Sequence, residues 1–189
     1  MSNKLIILDR DGVINQDSDA YIKTVDEWIP IPGSMEAIAR LNRSGYRVVV
    51  ATNQSGIARG LFDLETLSKM HKKLHDLAGA VGAHIDGIFF CPHGPEDKCN
   101  CRKPRPGLFQ EIQSRIGIDL HGVPTVGDSL RDLQAGVSMG CVPYLVKTGK
   151  GIKTVETKAE ELPKGTRVFE DLMAVAKHLV PEDPFAGRK

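Results

Sequence analysis

The sequence has no excess of charge of either sign and no long hydrophobic run. Its 25 basic and 24 acidic side chains leave a formal net charge of +1, which argues against the basic surface of a nucleic-acid-binding protein. No apolar stretch approaches the roughly 20 residues that cross a bilayer. The apolar run near the N-terminus, residues 5–8, is too short for the core of a secretion signal. We therefore expect a cytoplasmic protein that binds neither nucleic acid nor membrane.

Cysteine is also scarce, with four residues in the chain of 189. In a cytoplasmic protein we expect these thiols to be reduced unless they bind a metal, which argues against a disulfide framework. Hydrophobic residues make up 41% of the chain and charged residues 26%, which is ordinary for one globular domain. We predict a single domain over 1–180, followed by a flexible tail over 181–189.

Short apolar runs alternate with helical patterns to the end of the chain. Strands are predicted at 4–9, 46–53, 86–91, 122–128, 141–146 and 167–169, and helices at 33–45, 63–82, 106–117, 129–138 and 172–179. Strands that alternate with helices form parallel βαβ units, so the predicted fold class is α/β, a doubly wound, Rossmann-like, three-layer parallel sheet. The polar segment 147–166 is predicted to be a surface loop.

Two long segments interrupt this alternation, one at 12–32 after the first strand and one at 91–105 after the third. Long irregular insertions in a compact domain are usually functional. Neither is long enough to hold a large cap domain. We therefore expect an open site that is bounded by short loops.

Polar side chains gather just past four of the predicted strands: Asp9 and Asp11, then Thr52, Asn53 and Gln54, then Arg102 and Lys103, then Asp128 with Asp132 one turn later. An aspartate after a strand is often only a turn or N-cap residue. The carboxyl ends of parallel strands lie along one edge, however, and carboxylates collected there need a cation. Carboxylates and water suit Mg²⁺, and a magnesium flanked by a hydroxyl, amides and a lysine suits a phosphoryl group.

The segments LDRDGVIN (8–15), VATNQSGIARG (50–60), CRKPRPG (101–107) and VGDSLRDLQAG (126–136) resemble the four motifs of the haloacid dehalogenase (HAD) superfamily of phosphotransferases. The resemblance covers roughly residues 4–147 and implies a HAD-like fold. It implies that Asp9 is the nucleophile, which forms an aspartyl-phosphate. It also implies that Asp11 is the general acid and base, which protonates the leaving alkoxide and later activates water.

The same resemblance implies the ligands of the catalytic magnesium and the groups that hold the phosphoryl oxygens. Asp9, the backbone carbonyl of Asp11 and Asp128 would bind Mg²⁺. Thr52 and Lys103 would hold the non-bridging oxygens, and Asp132 would orient Lys103 or the metal shell.

The segment CPHGPEDKCNC (91–101) places four metal-binding side chains within eleven residues: Cys91, His93, Cys99 and Cys101. Three cysteines and one histidine form a closed tetrahedral zinc set, so the predicted Zn²⁺ is structural. The alternative is that reduced cysteines occur together by chance. Cys141 opens a predicted strand and is expected in the core. His71 and His75 are expected at the surface, because HKKLH lacks the glutamate of the H-E-x-x-H motif.

The D-R-D-G opening and the Cys–His loop before CRKP are similar to the histidinol-phosphate and heptose-bisphosphate phosphatase branch of the superfamily. That similarity implies a Mg²⁺-dependent sugar-phosphate phosphatase, a phosphoric monoester hydrolase that removes the 7-phosphate of D-glycero-D-manno-heptose 1,7-bisphosphate. Its place would be the synthesis of nucleotide-activated heptose for lipopolysaccharide. The partner would be a small sugar bisphosphate, and we expect a monomer. Candidate substrate contacts are Asp17, Ser18, Asp19, Ala20, Asn53, Gln54, Ser55, Arg59 and Arg102.

Three alternatives remain open at this point. The first is a histidinol-phosphate phosphatase, whose substrate has no second phosphate and would need fewer basic side chains; Arg102 and Arg105 would then be ordinary solvated charges. The second is a phosphoaccepting receiver domain, although such modules place the phosphorylated aspartate after the third strand. The third, a zinc-organised binding module without catalysis, leaves the four strand-end motifs unexplained. TGKGIKT (148–154) lacks the spacing of a nucleotide-binding P-loop.

Overall fold

The computed structural model describes residues 4–182, which form alternating strands and helices in the predicted order. The strands are β1 Leu5–Leu8, β2 Arg47–Asn53, β3 Gly87–Cys91, β4 Pro124–Gly127, β5 Val142–Val146 and β6 Arg167–Phe169. The helices are α1 Ser34–Arg43, α2 Leu64–Ala80, α3 Gly107–Ile116, α4 Leu130–Val137, α5 Gly151–Lys158 and α6 Leu172–Leu179. The six strands form one sheet in the order β3-β2-β1-β4-β5-β6, and every neighbouring pair is parallel.

Alternate residues of β1 bury themselves in two separate cores. Ile6 and Leu8 belong to the core that contains α1, α2 and α6, whereas Leu5 and Ile7 belong to the core that contains α3 and part of α4. Because successive side chains of a strand point to opposite faces, a strand that is apolar throughout must be covered on both sides. The predicted three-layer, doubly wound arrangement is confirmed.

Local sequence signals locate the ends of several helices. Asp63 caps α2 by accepting a hydrogen bond from the backbone N–H of Thr66 at 2.8 Å, as the sequence predicts. Helix α3 begins after Pro106 and ends at Gly117, whose φ of 71° is the left-handed conformation that glycine adopts without strain. The predicted boundaries of these two helices are within one or two residues of those observed.

The prediction that 147–166 is a surface loop is wrong, because residues Gly151–Lys158 form α5 and Ala159–Glu161 add a 3₁₀ turn. Helix α5 shows no clear hydrophobic periodicity in the sequence, because it is held in place mainly by polar contacts. The hydroxyl of Thr154 donates to the carbonyl oxygen of Asp128 at 2.8 Å, and Ile152 is exposed. The backbone of Gly151 packs directly against Val146, with no space for a side chain.

The insertion at 12–32 is folded onto the main core. Val13, Ile14, Ile22 and Trp28 are all buried among the side chains of that core. Lys73, from α2, donates to the carbonyl oxygens of Val25 and Trp28 at 2.8 and 2.7 Å. No large cap domain is present within residues 4–182, as predicted.

Within the same residues, no helix is both long and apolar enough to cross a membrane. All of these elements belong to a single sheet with its flanking helices. The predicted tail at 181–189 lies outside the described residues except for Pro181 and Glu182.

Candidate active site

The candidate site lies at the carboxyl ends of β1 and β4, which are neighbours in the sheet. The chain crosses to opposite sides of the sheet after these strands, with β2 beside β1 and β5 beside β4, and such a switch point leaves a crevice for ligands. Asp9 follows β1 and Asp128 follows β4. Their carboxylate oxygens and those of Asp132 lie within 4.8 Å of one another. The predicted convergence of acidic residues from distant parts of the chain is observed.

Lys103 completes this cluster from the loop after β3. Its Nζ donates to Asp9 Oδ1 at 2.9 Å and to the carbonyl oxygen of Ala51 at 2.7 Å, and it pairs with Asp132 Oδ1 at 2.7 Å. The Lys103 side chain is 2% exposed. Burial lowers the pKa of Lys103, but Asp132 and Asp9 more than compensate, so its pKa is raised and the ammonium stays charged. Asp132 therefore holds Lys103 in place, as one of its two predicted roles requires.

The carboxylates of the cluster are not neutralised by Lys103 alone. Burial and the charge of Asp132 raise the pKa of Asp9 to about 7, although Lys103 acts to lower it. Burial, with the charges of Asp132 and Asp9, raises the pKa of Asp128 to about 8. Buried like charges of this kind are the donor set that a divalent cation relieves, and oxygen donors suit Mg²⁺. The residues thus fit the predicted magnesium site.

Two glycines allow the backbone to approach Asp128 closely. A Cβ at Gly12, which has a φ of 85°, would collide with the Asp128 carboxylate, and so would a Cβ at Gly149. The backbone N–H of Lys150 donates to Asp128 Oδ2 at 2.8 Å, and the hydroxyl of Thr148 donates to the carbonyl oxygen of Gly12 at 2.6 Å. The TGKG segment therefore packs against the acidic cluster, although it is not a P-loop.

Asp11 lies beside the cluster but its side chain is not part of it. Arg10 donates to Oδ1 through Nε and Nη2 at 3.0 and 2.9 Å, and Asn15 Nδ2 donates to the same oxygen at 2.8 Å. Gln54 Nε2 donates to Oδ2 at 3.0 Å. Although burial raises the pKa of Asp11, Arg10 and the hydrogen bonds from Asn15 and Gln54 lower it overall.

The polar residues after β2 connect the neighbouring motifs. Gln54 Nε2 also donates to Thr52 Oγ1 at 2.8 Å, which places this hydroxyl beside Asp11. The Asn53 side chain pairs with the backbone of Lys103: its Nδ2 donates to the Lys103 carbonyl at 3.1 Å, and its Oδ1 accepts from the Lys103 N–H at 3.0 Å. Asn53 therefore positions Lys103, while Ser55 lines the pocket nearby.

The predicted sugar contacts in the first insertion reach the pocket only in part. Asp17, Ser18 and Asp19 line it, whereas Ala20 lines a neighbouring groove. Lys150 Nζ pairs with Asp17 at 3.1 Å and with Asp19 at 3.4 Å, which ties this loop to the start of α5.

Three arginines also line the pocket. Arg59 lines the pocket, and its guanidinium lies 5.7 Å from the ring centroid of Tyr21. Arg102 and Arg131 line it too, and burial together with the charge of Arg131 lowers the pKa of Arg102. Among residues 4–182, Arg131 donates no hydrogen bond to a protein atom. Two guanidinium groups that line one pocket form a receptive position for an anion.

The predicted zinc ligands come together in the loop after β3. The Sγ of Cys91 lies 3.7 Å from that of Cys99 and 3.6 Å from Nδ1 of His93, and Nδ1 of His93 lies 3.3 Å from the Sγ of Cys101. A tetrahedral zinc with Zn–S bonds of about 2.3 Å separates its ligands by about 3.8 Å. The four cysteines form no disulfide. The Sγ atoms of Cys101 and Cys91 are closer, at 3.0 Å, but all four ligand atoms lie within 4.8 Å of one another, and the cluster has the composition of a metal site.

The loop that carries the Cys/His cluster is joined to the candidate catalytic residues. Cys101 immediately precedes Arg102 and Lys103, and Arg102 Nη1 donates back to the carbonyl of His93 at 3.3 Å. Arg105 is exposed but donates to the carbonyl oxygen of Cys99. The loop thus determines where Lys103 enters the pocket.

Several residues of the site escaped the sequence interpretation: Arg10, Asn15, Tyr21, His71, Arg131 and Lys150. The expectation that His71 lies at the surface is wrong, since its ring packs against Phe90 with centroids 6.1 Å apart and its Nε2 lies 3.3 Å from Arg10 Nη1. His75, one turn later, is exposed as expected. Arg10, Asn15 and Arg131 occur inside the motif segments, which was the available signal.

Family models match most of the chain. A model described as polynucleotide kinase 3 phosphatase matches residues 4–130, and a HAD-hydrolase-like model matches residues 100–175. These two matches overlap at the loop that carries Arg102 and Lys103. Together they span all four strand-end motifs.

Named relatives cover nearly the whole chain. The chain is 59% identical over 179 residues to the D-glycero-β-D-manno-heptose-1,7-bisphosphate 7-phosphatase of Bordetella bronchiseptica, which covers 95% of this chain and 99% of the relative. It is 56% identical to the enzyme of the same name from Pseudomonas aeruginosa, again over 95% and 99% of the two chains.

A solved structure agrees with the sequence match. The crystal structure of the D,D-heptose 1,7-bisphosphate phosphatase of B. bronchiseptica, complexed with magnesium and phosphate, superposes with a TM-score of 0.91 at 59% identity. The alignment covers 94% of this chain and 98% of that one.

Proposed function

The chain belongs to the D-glycero-β-D-manno-heptose-1,7-bisphosphate 7-phosphatases of the HAD-like hydrolases, and we propose that it removes the 7-phosphate of that β-anomeric sugar bisphosphate. It is a phosphoric monoester hydrolase. The observation that carries the proposal is the meeting of Asp9, Lys103 and Asp128 at the ends of two adjacent strands. The same arrangement favours an enzyme over a receiver module, since here the phosphate acceptor follows β1 rather than β3.

Asp9 is the proposed nucleophile. One carboxylate oxygen attacks phosphorus, the bond from phosphorus to the C7 oxygen breaks, and an aspartyl-phosphate forms. Lys103 and the Thr52 hydroxyl hold the non-bridging oxygens as negative charge moves among them. The pairing of Lys103 with Asp9 and Asp132 supports this role, because it fixes the ammonium beside the attacking oxygen.

Asp11 is the proposed general acid and base. It gives a proton to the departing sugar oxygen and then takes one from the water that hydrolyses the aspartyl-phosphate. Its Oδ1 accepts three hydrogen bonds, from Nε and Nη2 of Arg10 and from Asn15, whereas Oδ2 accepts two, from Gln54 and from Nη2 of Arg10. We take Oδ2, the less heavily hydrogen-bonded oxygen, as the atom that carries the transferred proton.

Asp9, Asp128 and the backbone carbonyl of Asp11 are the proposed magnesium ligands. When bound, Mg²⁺ neutralises the carboxylates and withdraws charge from the phosphoryl oxygens. The raised pKa values of Asp9 and Asp128 support this set, since each reports a buried carboxylate without sufficient positive charge. The contact of Lys150 N–H with Asp128 Oδ2 orients that carboxylate and leaves Oδ1 for the metal.

Zinc is the proposed occupant of the Cys91, His93, Cys99 and Cys101 cluster, in a structural role. Four protein ligands leave no open position for substrate. The role is to fix the loop that delivers Arg102 and Lys103. Because such a site needs reduced thiols, it is consistent with a cytoplasmic enzyme.

The second phosphate of the substrate is proposed to bind between Arg102, Arg59 and Arg131. The planar guanidinium of Arg102 suits bidentate binding, and Arg131 lines the same pocket. Asp17, Ser18, Asp19, Gln54 and Ser55 are the proposed sugar contacts. We propose that the enzyme is a monomeric single domain over 1–180 that serves nucleotide-activated heptose synthesis for lipopolysaccharide.

A kinetic comparison tests the substrate. We expect the purified protein with Mg²⁺ to release phosphate from the β-anomer of the heptose bisphosphate with a kcat/KM at least about tenfold above that for histidinol phosphate. The α-anomer, measured in parallel, should be the poorer bisphosphate. A kcat/KM for histidinol phosphate about tenfold above both anomers would contradict the assignment and favour the other member of the branch.

A further inference from the structure

Arg10 is completely buried between the two proposed catalytic carboxylates. Its backbone N–H donates to Asp9 Oδ1 at 2.8 Å, while its side chain, 0% exposed, donates to both oxygens of Asp11. These contacts use Nε and Nη2, along one edge of the guanidinium. The remaining nitrogen, Nη1, points away from Asp11 and reaches only His71, at 3.3 Å, among the described residues.

The tautomer of His71 follows from its partner. A guanidinium can only donate hydrogen bonds, so His71 Nε2 must accept, and the ring proton lies on Nδ1. Burial and the charge of Arg10 lower the pKa of His71 to about 3, which keeps the imidazole neutral and its acceptor available. Its ring also packs edge-on against Phe90, at an interplanar angle of 61°.

The contact matters because a buried guanidinium N–H without an acceptor is costly. If His71 offered no acceptor, Arg10 would turn to satisfy Nη1 and would loosen its hold on the Asp11 carboxylate. That hold determines how the Asp11 carboxylate is oriented in the pocket. We propose that His71 is a positioning residue that acts through Arg10 to aim the general acid Asp11 at the leaving oxygen; the inference rests on the proposed role of Asp11.

Protonation of the leaving group separates this role from ordinary packing. A sugar alkoxide needs a proton as it departs, whereas p-nitrophenolate departs without one. The kcat/KM value reports the steps up to phosphoryl transfer and excludes the later hydrolysis. The ratio of kcat/KM for the heptose bisphosphate to that for p-nitrophenyl phosphate, measured on one preparation, therefore isolates the acid and is independent of any inactive fraction.

The test compares His71→Phe, which keeps the aromatic packing and removes the acceptor, with His71→Gln, whose Oε1 can accept from Arg10. We expect His71→Phe to lower that ratio about tenfold, since small displacements of a catalytic group cost rates of this order. His71→Gln should stay within about twofold of the wild type. His75→Phe, on the exposed side of the same helix, is the matched control and should leave the ratio unchanged.

Asp11→Asn provides the reference value, because it removes the acid itself and should lower the ratio more than His71→Phe does. An unchanged ratio in Asp11→Asn would refute the proposed role of Asp11, and the inference with it. A reduced ratio in Asp11→Asn with an unchanged ratio in His71→Phe would overturn the inference alone. Equal losses in the Phe and Gln variants would overturn it as well, because the acceptor would then be irrelevant.

Discussion

Removal of magnesium should make the stability of this protein fall as pH rises. The pKa of Asp9 is raised from 3.8 to about 7 and that of Asp128 to about 8 in the metal-free cluster. At pH values above 3.8 and below these raised pKa values, the folded protein keeps protons that the unfolded chain has already released. Stability rises with pH only where the unfolded state binds more protons, so here it must fall through this window. Asp11 and Asp132, whose pKa values are lowered, act in the opposite sense and only at lower pH.

The size of the effect follows from the displacement of these pKa values. One pKa step corresponds to about 1.4 kcal/mol, so the displacement of Asp9 alone is worth about 4 kcal/mol across its full range. Because the mutual repulsion of Asp9 and Asp128 is counted in both values, we take about 4 kcal/mol for the pair between about pH 5.5 and about pH 8. For a domain of this size that amounts to about 10 °C in Tm.

This pH dependence of stability can be measured by thermal melting at several pH values, in magnesium-free buffer and in excess Mg²⁺. Magnesium must be removed by dialysis and not by a chelator, because a chelator would also remove the proposed zinc from the Cys–His cluster. The Tm without Mg²⁺ should drop as pH rises, and the gap between the two curves should widen toward pH 8, because metal binds only the ionised carboxylates. Asp128→Asn should flatten both trends, whereas Asp76→Asn, at an exposed pair with Lys72, should not. A magnesium-free Tm that stays constant over this range would refute the reasoning.

Three further outcomes are expected. Asp9→Asn should fold normally, with an unchanged circular dichroism spectrum, and its kcat should fall by several orders of magnitude. Activity near that of the wild type would show that Asp9 is not the nucleophile. Elemental analysis should find about one zinc per wild-type chain. Cys99→Ser should lower both this zinc content and the Tm, whereas Cys141→Ser should keep its zinc. A fully active zinc-free preparation would contradict the structural role. Gly12→Ala should weaken Mg²⁺ affinity in calorimetry, because its Cβ would meet the Asp128 carboxylate and its φ of 85° is strained for alanine; wild-type affinity would exclude that close approach.

The order of elements was predictable from the sequence because the sheet is parallel and doubly covered. A strand such as Leu5–Leu8 is then apolar on both faces and reads as a continuous hydrophobic run between helical patterns. Helix α5 lacks that signal. Its buried residues are Gly151 and Thr154, and its position depends on a hydrogen bond to Asp128, a residue 26 positions earlier in the chain. A polar contact between residues so far apart in the chain produces no hydrophobic periodicity within the helix itself.

The site was predictable where its residues follow strands directly and unpredictable where they act across the fold. Asp9 and Asp128 could be placed together because the ends of β1 and β4 define one edge. The contact of His71 with Arg10 spans 61 positions and depends on how α2 packs on the sheet. From the sequence, a histidine on a long helix is indistinguishable from the exposed His75. Arg131 was missed for a related reason, since a charged residue in the first turn of a helix is usually solvated.

The first insertion explains how an enzyme without a large cap can still select its substrate. Part of this insertion is core: Trp28 is 0% exposed, and Ser34, at the start of α1, donates from its hydroxyl to the carbonyl of Ile14 at 2.8 Å. Its residues Asp17, Ser18, Asp19, Tyr21 and Ile22 line the pocket, and Lys150 at the start of α5 pairs with Asp17. The proposed sugar contacts are thereby held in place before substrate arrives, so we expect less ordering entropy to be lost on binding than with a mobile cap. We expect selectivity in such a site to depend on the fixed spacing between this loop and the arginines that line the same pocket.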